Sequence, residues 1–339
     1  MASNDVGFHD HVVLGIFSTD EDKNYCNDLR NRRFFVEPNE RPNFDLTHGI
    51  DDFAERDYSD VQPTSLTPVL EWIRDHQKEL KENGILKPAA KSQEMKMDVD
   101  FIARRGILGC LLRAGTDAVE VDLMRCFLVE HLEQIDGGQP DIDQPINASS
   151  SYYSMTKATC GDYTFLFSGE TVAERKDAVE RPPTNYVDVN TNKALSEPRL
   201  RSNFDKFKTL RWWSKNHISG VSDIVVGWRD DRRNVVTSTA MMRNEDLPNK
   251  AAGFWDPASC VSSFLSLIKD IQKKIPDDDP RYNIHRFPSR CLLYGTKEAG
   301  DQPRHQEQLK ARRFGFSLKE DDYVILKDWY LRDVLKVPE

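Results

Sequence analysis

The chain has no CxxC pair, and its six cysteines (Cys26, Cys110, Cys126, Cys160, Cys260 and Cys291) have no histidine-rich partner. That argues against a zinc site and against a disulfide framework. No stretch approaches the ~20 apolar residues of a membrane span. The opening MASNDVGFHDH lacks the charged-then-apolar order of a signal peptide. These absences lead us to expect a soluble protein of the nucleus or cytoplasm, with no membrane partner. Repeats and low-complexity tracts are lacking too. There is no excess of positive charge: 47 Lys and Arg stand against 56 Asp and Glu, a net charge of −9. A protein that coats nucleic acid would be basic throughout, although a local basic cleft is still allowed. What is present is ample apolar material. With 339 residues, 38% of them hydrophobic, the chain can bury a large core.

Along the chain, residues 1–60 are polar and predict an irregular covering arm with one edge strand. The spacing predicts a helix over 67–83, with Ser65 or Thr67 as cap, Pro68 in its first turn and Gly84 at its end. A second helix is expected over 98–113, where Arg104 and Arg105 interrupt an apolar face. Either both point to solvent, or one reaches a phosphate, which the planar guanidinium fork suits. A third helix is expected over 118–134. Its Glu130 reads as an exposed residue or as a carboxylate turned into a site. Residues 136–150 form a turn-rich connector. A basic, aromatic helix is expected over 200–217 with Phe207, Leu210 and Trp213 inward. A hairpin follows at 222–239. Helix 257–274 is capped by Asp256, with Val261, Phe264, Leu265, Ile268 and Ile271 inward. Strands at 284–294 and 315–326 and a short helix at 327–337 close the chain. Helices mixed with adjacent strands read as an α+β fold.

The stretch 161–193 organises the rest. It reads as two strands, about 163–173 and 186–191, joined by a loop. Side chains on a strand alternate, so Glu170, Val172 and Glu174 are expected to share one face, as are Asp188 and Asn190. Carboxylates from two buried strands aimed at one point are a way to hold Mg²⁺ or Mn²⁺. Val172 stands where such a site would need another ligand.

Several segments together resemble the DXO-like decapping nucleases, which act on aberrant RNA 5′ ends. They are PNFDLTHGIDDFAERD at 42–57, Arg105-Gly106 after DFIAR, SGE at 168–170, PPTNYVDVNTNK at 182–193, KFKTLRWW at 206–213, GVSDIVVGWRD at 220–230 and FWDPASC at 254–260. The resemblance implies one domain over 1–339, with a mixed two-sheet core flanked by helices, related to PD-(D/E)xK nucleases. It implies Mg²⁺ or Mn²⁺ as cofactor, held by Glu130, Glu170, Asp188 and the backbone carbonyl of Val189, with Arg105 on the phosphate. It implies an RNA 5′ end as partner rather than DNA. A larger 5′–3′ exonuclease is a further partner, since some members bind one.

The chain departs from that pattern at defined places. The family's Glu-hydrophobe-Asp is Glu170-Thr171-Val172, so the aspartate is gone. Its Glu-hydrophobe-Lys is Asp188-Val189-Asn190, so the glutamate is shortened and the lysine lost. The glycine expected at Cys126, ahead of Glu130, is absent. A glutamine that follows the paired tryptophans in many relatives is Lys215. Losing one preorganised donor costs ~10²–10³ in rate, and losing a metal ligand should cost at least as much. Two expectations stand side by side. One is an enzyme that removes incomplete or unusual caps, NAD caps among them, with Arg105, Glu130, Glu170 and Asp188 as catalytic residues. The other is a member with weakened or lost catalysis that still binds RNA ends or a partner. Glu174, Lys193 and Lys215 are the candidates to compensate, none of them naturally placed.

Overall fold

The computed structural model describes residues 7–37, 42–47, 66–89, 93–113, 132–134, 149–176, 178–274 and 327–337. Glu130 and the strands expected at 284–294 and 315–326 lie outside these residues. In chain order the strands are β1 (Phe8–Thr19), β2 (Tyr25–Cys26), β3 (Arg33–Phe35), β4 (Phe44–Asp45), β5 (Leu86–Pro88), β6 (Met95–Met97) and β7 (Phe101–Arg104). They continue as β8 (Leu132–Gln134), β9 (Ser151–Cys160), β10 (Tyr163–Glu170), β11 (Ala173–Arg175), β12 (Tyr186–Lys193), β13 (Asp223–Asp230) and β14 (Val235–Arg243). The helices are α1 (Thr67–Asp75), α2 (Gln77–Glu82), α3 (Arg105–Leu112), α4 (Pro198–Asn203), α5 (Thr209–Ser219), α6 (Leu247–Lys250), α7 (Pro257–Lys274) and α8 (Asp328–Asp333).

These elements make the expected mixed α+β core. One sheet has the order β2-β1-β9-β10-β7, and a second has the order β4-β14-β13-β12-β11-β3-β8. Parallel pairing joins β10 to β7, β11 to β3 and β12 to β13. Side chains alternate along β10, so its two faces feed two cores. Phe165 and Phe167 meet Leu112 of α3, Trp213 of α5, Val226 of β13 and Phe264 of α7. Leu166 faces the other way, with Tyr153 and Met155 of β9 and Leu70 and Ile73 of α1.

Several expectations are corrected. The first sixty residues are not merely a covering arm. β1 is an interior strand twelve residues long, and β3 and β4 join the second sheet. The strand expected over 163–173 ends at Glu170. Thr171 and Val172 then carry the chain from the first sheet into the second, where Ala173 pairs Val187 and Glu174 pairs Tyr186. Glu170, Val172 and Glu174 therefore do not share one strand face. Helix 98–113 is a strand, β7, running into α3. Of the helix expected over 118–134, residues 132–134 are strand β8. Helix 67–83 breaks at His76, whose φ of −109° and ψ of 22° are not helical, and Leu66 rather than a side-chain cap begins it. Gly84 ends it at a φ of +66°, a left-handed conformation that glycine adopts without strain. In the basic helix a π turn at Phe204–Lys208 adds a residue to the turn, which buries Phe204 and leaves Phe207 half-buried. Helix α7 starts as expected, with Ser259 N–H donating to Asp256 Oδ2 at 2.8 Å; it buries Val261, Phe264, Leu267 and Ile268 and leaves Leu265 half-buried, and the Ile271 side chain lies outside the described residues.

A buried cluster clamps the two sheets where the chain crosses between them. Glu174 of β11, only 3% exposed, receives Arg32 Nη2 at 2.9 Å and the Tyr152 hydroxyl of β9 at 3.0 Å. Burial, then the nearby Glu174 carboxylate, pushes the Tyr152 phenol upward, so it stays a donor. Removing the cation from a buried pair costs ~3–5 kcal/mol. Arg32 is one-third exposed, so Arg32→Ala should cost about 2–3 kcal/mol in urea unfolding. Tyr152→Phe should cost about 1 kcal/mol. An Arg32→Ala midpoint equal to the wild type would show that the clamp does not join the sheets.

Candidate functional site

The site is built on one face of α5. Its two tryptophans, Trp212 and Trp213, are buried and fix the helix against the core. Gly220 ends it at a φ of +70°. Residues four apart lie on one helical face, so Lys215 and Ser219 project together, with Asn216 beside them. Strand β12 lies opposite. Its Asp188 and Asn190 share a face, as alternation requires, and Val187 and Val189 turn to a separate cluster with Phe35, Ala173 and Val225.

Asp188 is the centre of this arrangement. Its side chain is 3% exposed, and Lys215 Nζ donates to Oδ1 at 2.5 Å. Oδ2 accepts from Asn190 Nδ2 at 2.8 Å and from Asn216 Nδ2 at 2.9 Å. Burial alone would push this carboxyl up. The Lys215 charge and the three hydrogen bonds outweigh it and hold the group below the ordinary aspartate value.

Arg105 opens α3 directly after β7, beside the end of β10. Its Nη1 donates to Ser219 Oγ at 3.2 Å, and Ser219 Oγ in turn donates to the Lys215 carbonyl at 3.2 Å. The guanidinium passes over Gly169, where an added Cβ would stand 3.2 Å from Nη1. Burial lowers the proton affinity of Arg105, and the charges of Asp188 and Glu170 work against that. Arginine stays charged in any case. The structure thus brings Arg105, Glu170, Asp188, Asn190 and Lys215 to one neighbourhood. Glu170 accepts from Ser151 Oγ at 3.2 Å, and its charge also acts on Arg33.

Other expected participants lie elsewhere. Val172 is half-buried at the crossing between sheets. Glu174 belongs to the Arg32 and Tyr152 clamp. Because β12 continues to Lys193, that lysine falls on the opposite face from Asn190, and it pairs Asp231 at 3.3 Å. Asn216 and Ser219 were not foreseen. A signal for both lies in their spacing from Lys215 on a helix with two tryptophans inward.

The family described as RAI1 like PD-(D/E)XK nuclease matches residues 12–132 and 125–331. The chain belongs to this family. A decapping and exoribonuclease protein of Bos taurus is 28% identical over 304 residues, covering 79% of this chain and 76% of the relative. The Homo sapiens protein of that name is 25% identical, covering 81% and 77%. Scheffersomyces stipitis Rai1, crystallised with (3′-NADP)⁺ and calcium ion, shares the fold with a TM-score of 0.66, 18% identity and coverage of 81% and 86%. Candida albicans Rai1 in complex with pU5-Mn²⁺ gives a TM-score of 0.61 at 14% identity, covering 80% and 84%.

The described residues, which do not include Glu130, hold no group of three or more His, Cys, Asp or Glu side chains placed for the divalent ion that this family implies. Val172 offers no lone pair, and Asp188 already accepts three donors on about four lone-pair positions.

A carboxyl held low in the folded state contributes stability above its unfolded value of about 3.9, and loses it as pH falls through the folded value. Asp188→Asn should therefore lower the urea midpoint at neutral pH, and the gap to wild type should narrow as pH falls below the unfolded value of about 3.9. A gap independent of pH would show that the Asp188 charge is not what stabilises this site.

Proposed function

We propose that this chain binds RNA 5′ ends in the cleft beside α5, with hydrolysis weakened or lost. The observation that supports this is the state of Asp188. The carboxylate that the family resemblance assigns to metal is bound instead by Lys215, Asn190 and Asn216. What the cleft retains is an anion receptor. The planar fork of Arg105 has five N–H donors, of which one is engaged by Ser219. A half-buried arginine so placed suits a phosphate, because charge-assisted bonds are strongest where water is partly excluded.

Binding and turnover are measured on the full chain with a 5′-phosphorylated RNA and a capped RNA, with Mn²⁺ supplied. The wild type should bind the phosphorylated RNA and release product at least ~10²–10³ more slowly than an active relative. Arg105→Ala should weaken binding about tenfold and make its salt dependence shallower by about one phosphate contact. Turnover at the rate of an active relative would overturn the loss of catalysis. An Arg105→Ala variant with unchanged affinity and salt slope would remove the cleft from the reading.

A further inference from the structure

We infer that Lys215 is a resident cation that replaces the divalent ion at Asp188, so that Lys215 and Arg105 bind the terminal phosphate of RNA without metal. This rests on the RNA-end reading above and adds its charge carrier.

The geometry begins with α5. Lys215 and Ser219 are one turn apart on the same face, and Ser219 holds Arg105. The helix therefore presents an ammonium and anchors a guanidinium side by side. Each keeps donors to offer. Lys215 has three N–H groups, of which Asp188 takes one, and its side chain is 29% exposed. Arg105 retains most of its fork. Charge favours the same conclusion. Two carboxylates without a counter-charge would repel a phosphate. Here Asp188 and Glu170 face Lys215 and Arg105, while Arg33 also senses Glu170. The site is balanced from within, and an incoming phosphate meets no net negative field from these groups. A divalent ion, by contrast, would have to expel an ammonium from a carboxylate that is 3% exposed, and would gain nothing from Val172.

The experiment uses the full chain and two pentauridylates, one with a 5′-phosphate and one with a 5′-hydroxyl. Affinity is read by anisotropy in EDTA and in Mn²⁺, and Mn²⁺ alone is titrated by calorimetry. The wild type should bind the 5′-phosphorylated RNA equally well, within about twofold, in both buffers, and prefer it to the 5′-hydroxyl form by about tenfold. It should show no Mn²⁺ isotherm. Lys215→Gln should lose about tenfold in RNA affinity in EDTA. A wild-type chain that binds RNA only with Mn²⁺, or that itself titrates Mn²⁺, overturns the inference while leaving RNA-end binding intact. A wild-type chain that binds neither RNA in either buffer overturns both. These wild-type measurements decide the matter even if Lys215→Gln fails to fold.

Discussion

A carboxylate cannot stay charged in a protein interior unless something nearby is positive or donates to it. Moving it from water costs several kcal/mol even after the surroundings relax. Asp188 meets that condition with one ammonium and two amides, all fixed by neighbouring elements. Strand β12 lies between β11 and β13, and its first residues, Tyr186 to Asp188, are buried. Helix α5 must then lie against β12 with Lys215 and Asn216 at the right height. The two buried tryptophans and the Gly220 stop set that height. The site is therefore a consequence of how α5 docks, and the docking is a consequence of the apolar core it shares with β10, β13 and α7.

The second constraint is the crossing at Thr171–Val172. Thr171 N–H donates to the Tyr152 carbonyl at 2.8 Å, so the chain leaves the first sheet still tethered to β9. Two residues later it is paired in the second sheet. The crossing places Glu170 on one sheet and Asp188 on the other, with Arg105 sensing both. It also sends Glu174 to the sheet clamp. A carboxylate one pleat beyond Val172 in sequence is thus spent on holding the sheets together and has no part in the cleft.

Much of this was legible in the residues, and the failures have physical causes. The cap at Asp256, the hairpin about Asp230–Asn234 and the common face of Asp188 and Asn190 follow from local rules, and the structure keeps them. The change of sheets at 171–172 left no local mark. An extended run TFLFSGETVAER has the same periodicity whether or not it changes partners. Strand β9, SYYSMTKATC, had no reading because nearly every residue on both faces is buried, which erases the alternation of polar and apolar. The spacing of a regular helix turns Phe207 inward. The π turn shifts the phase by a residue and buries Phe204 instead. For Lys215 the residue type marks a departure, but the sequence does not show its partner. The contact lies 27 residues back along the chain and depends on α5 crossing β12 at Asp188.

Val172, Asn190 and Lys215 are usefully weighed as one set of charges. The family resemblance places an aspartate at 172 and a lysine at 190, the latter on the strand, next to where water would be activated. In this chain strand position 190 carries an amide that donates to Asp188, and the ammonium stands on the helix, bonded to the same carboxylate. Relative to that pattern the positive charge has not been lost. It has moved from a place where it would act on a reacting water to a place where it neutralises a ligand. Losing the carboxylate at 172 works in the same direction, because fewer negative charges then need a dication. Each change taken alone would leave either an unbalanced carboxylate or a repelled metal. Together they give a buried centre that is electrically complete and still exposes N–H donors to an anion. On the reading proposed above, such a centre would hold a phosphate and would polarise the bond next to it poorly.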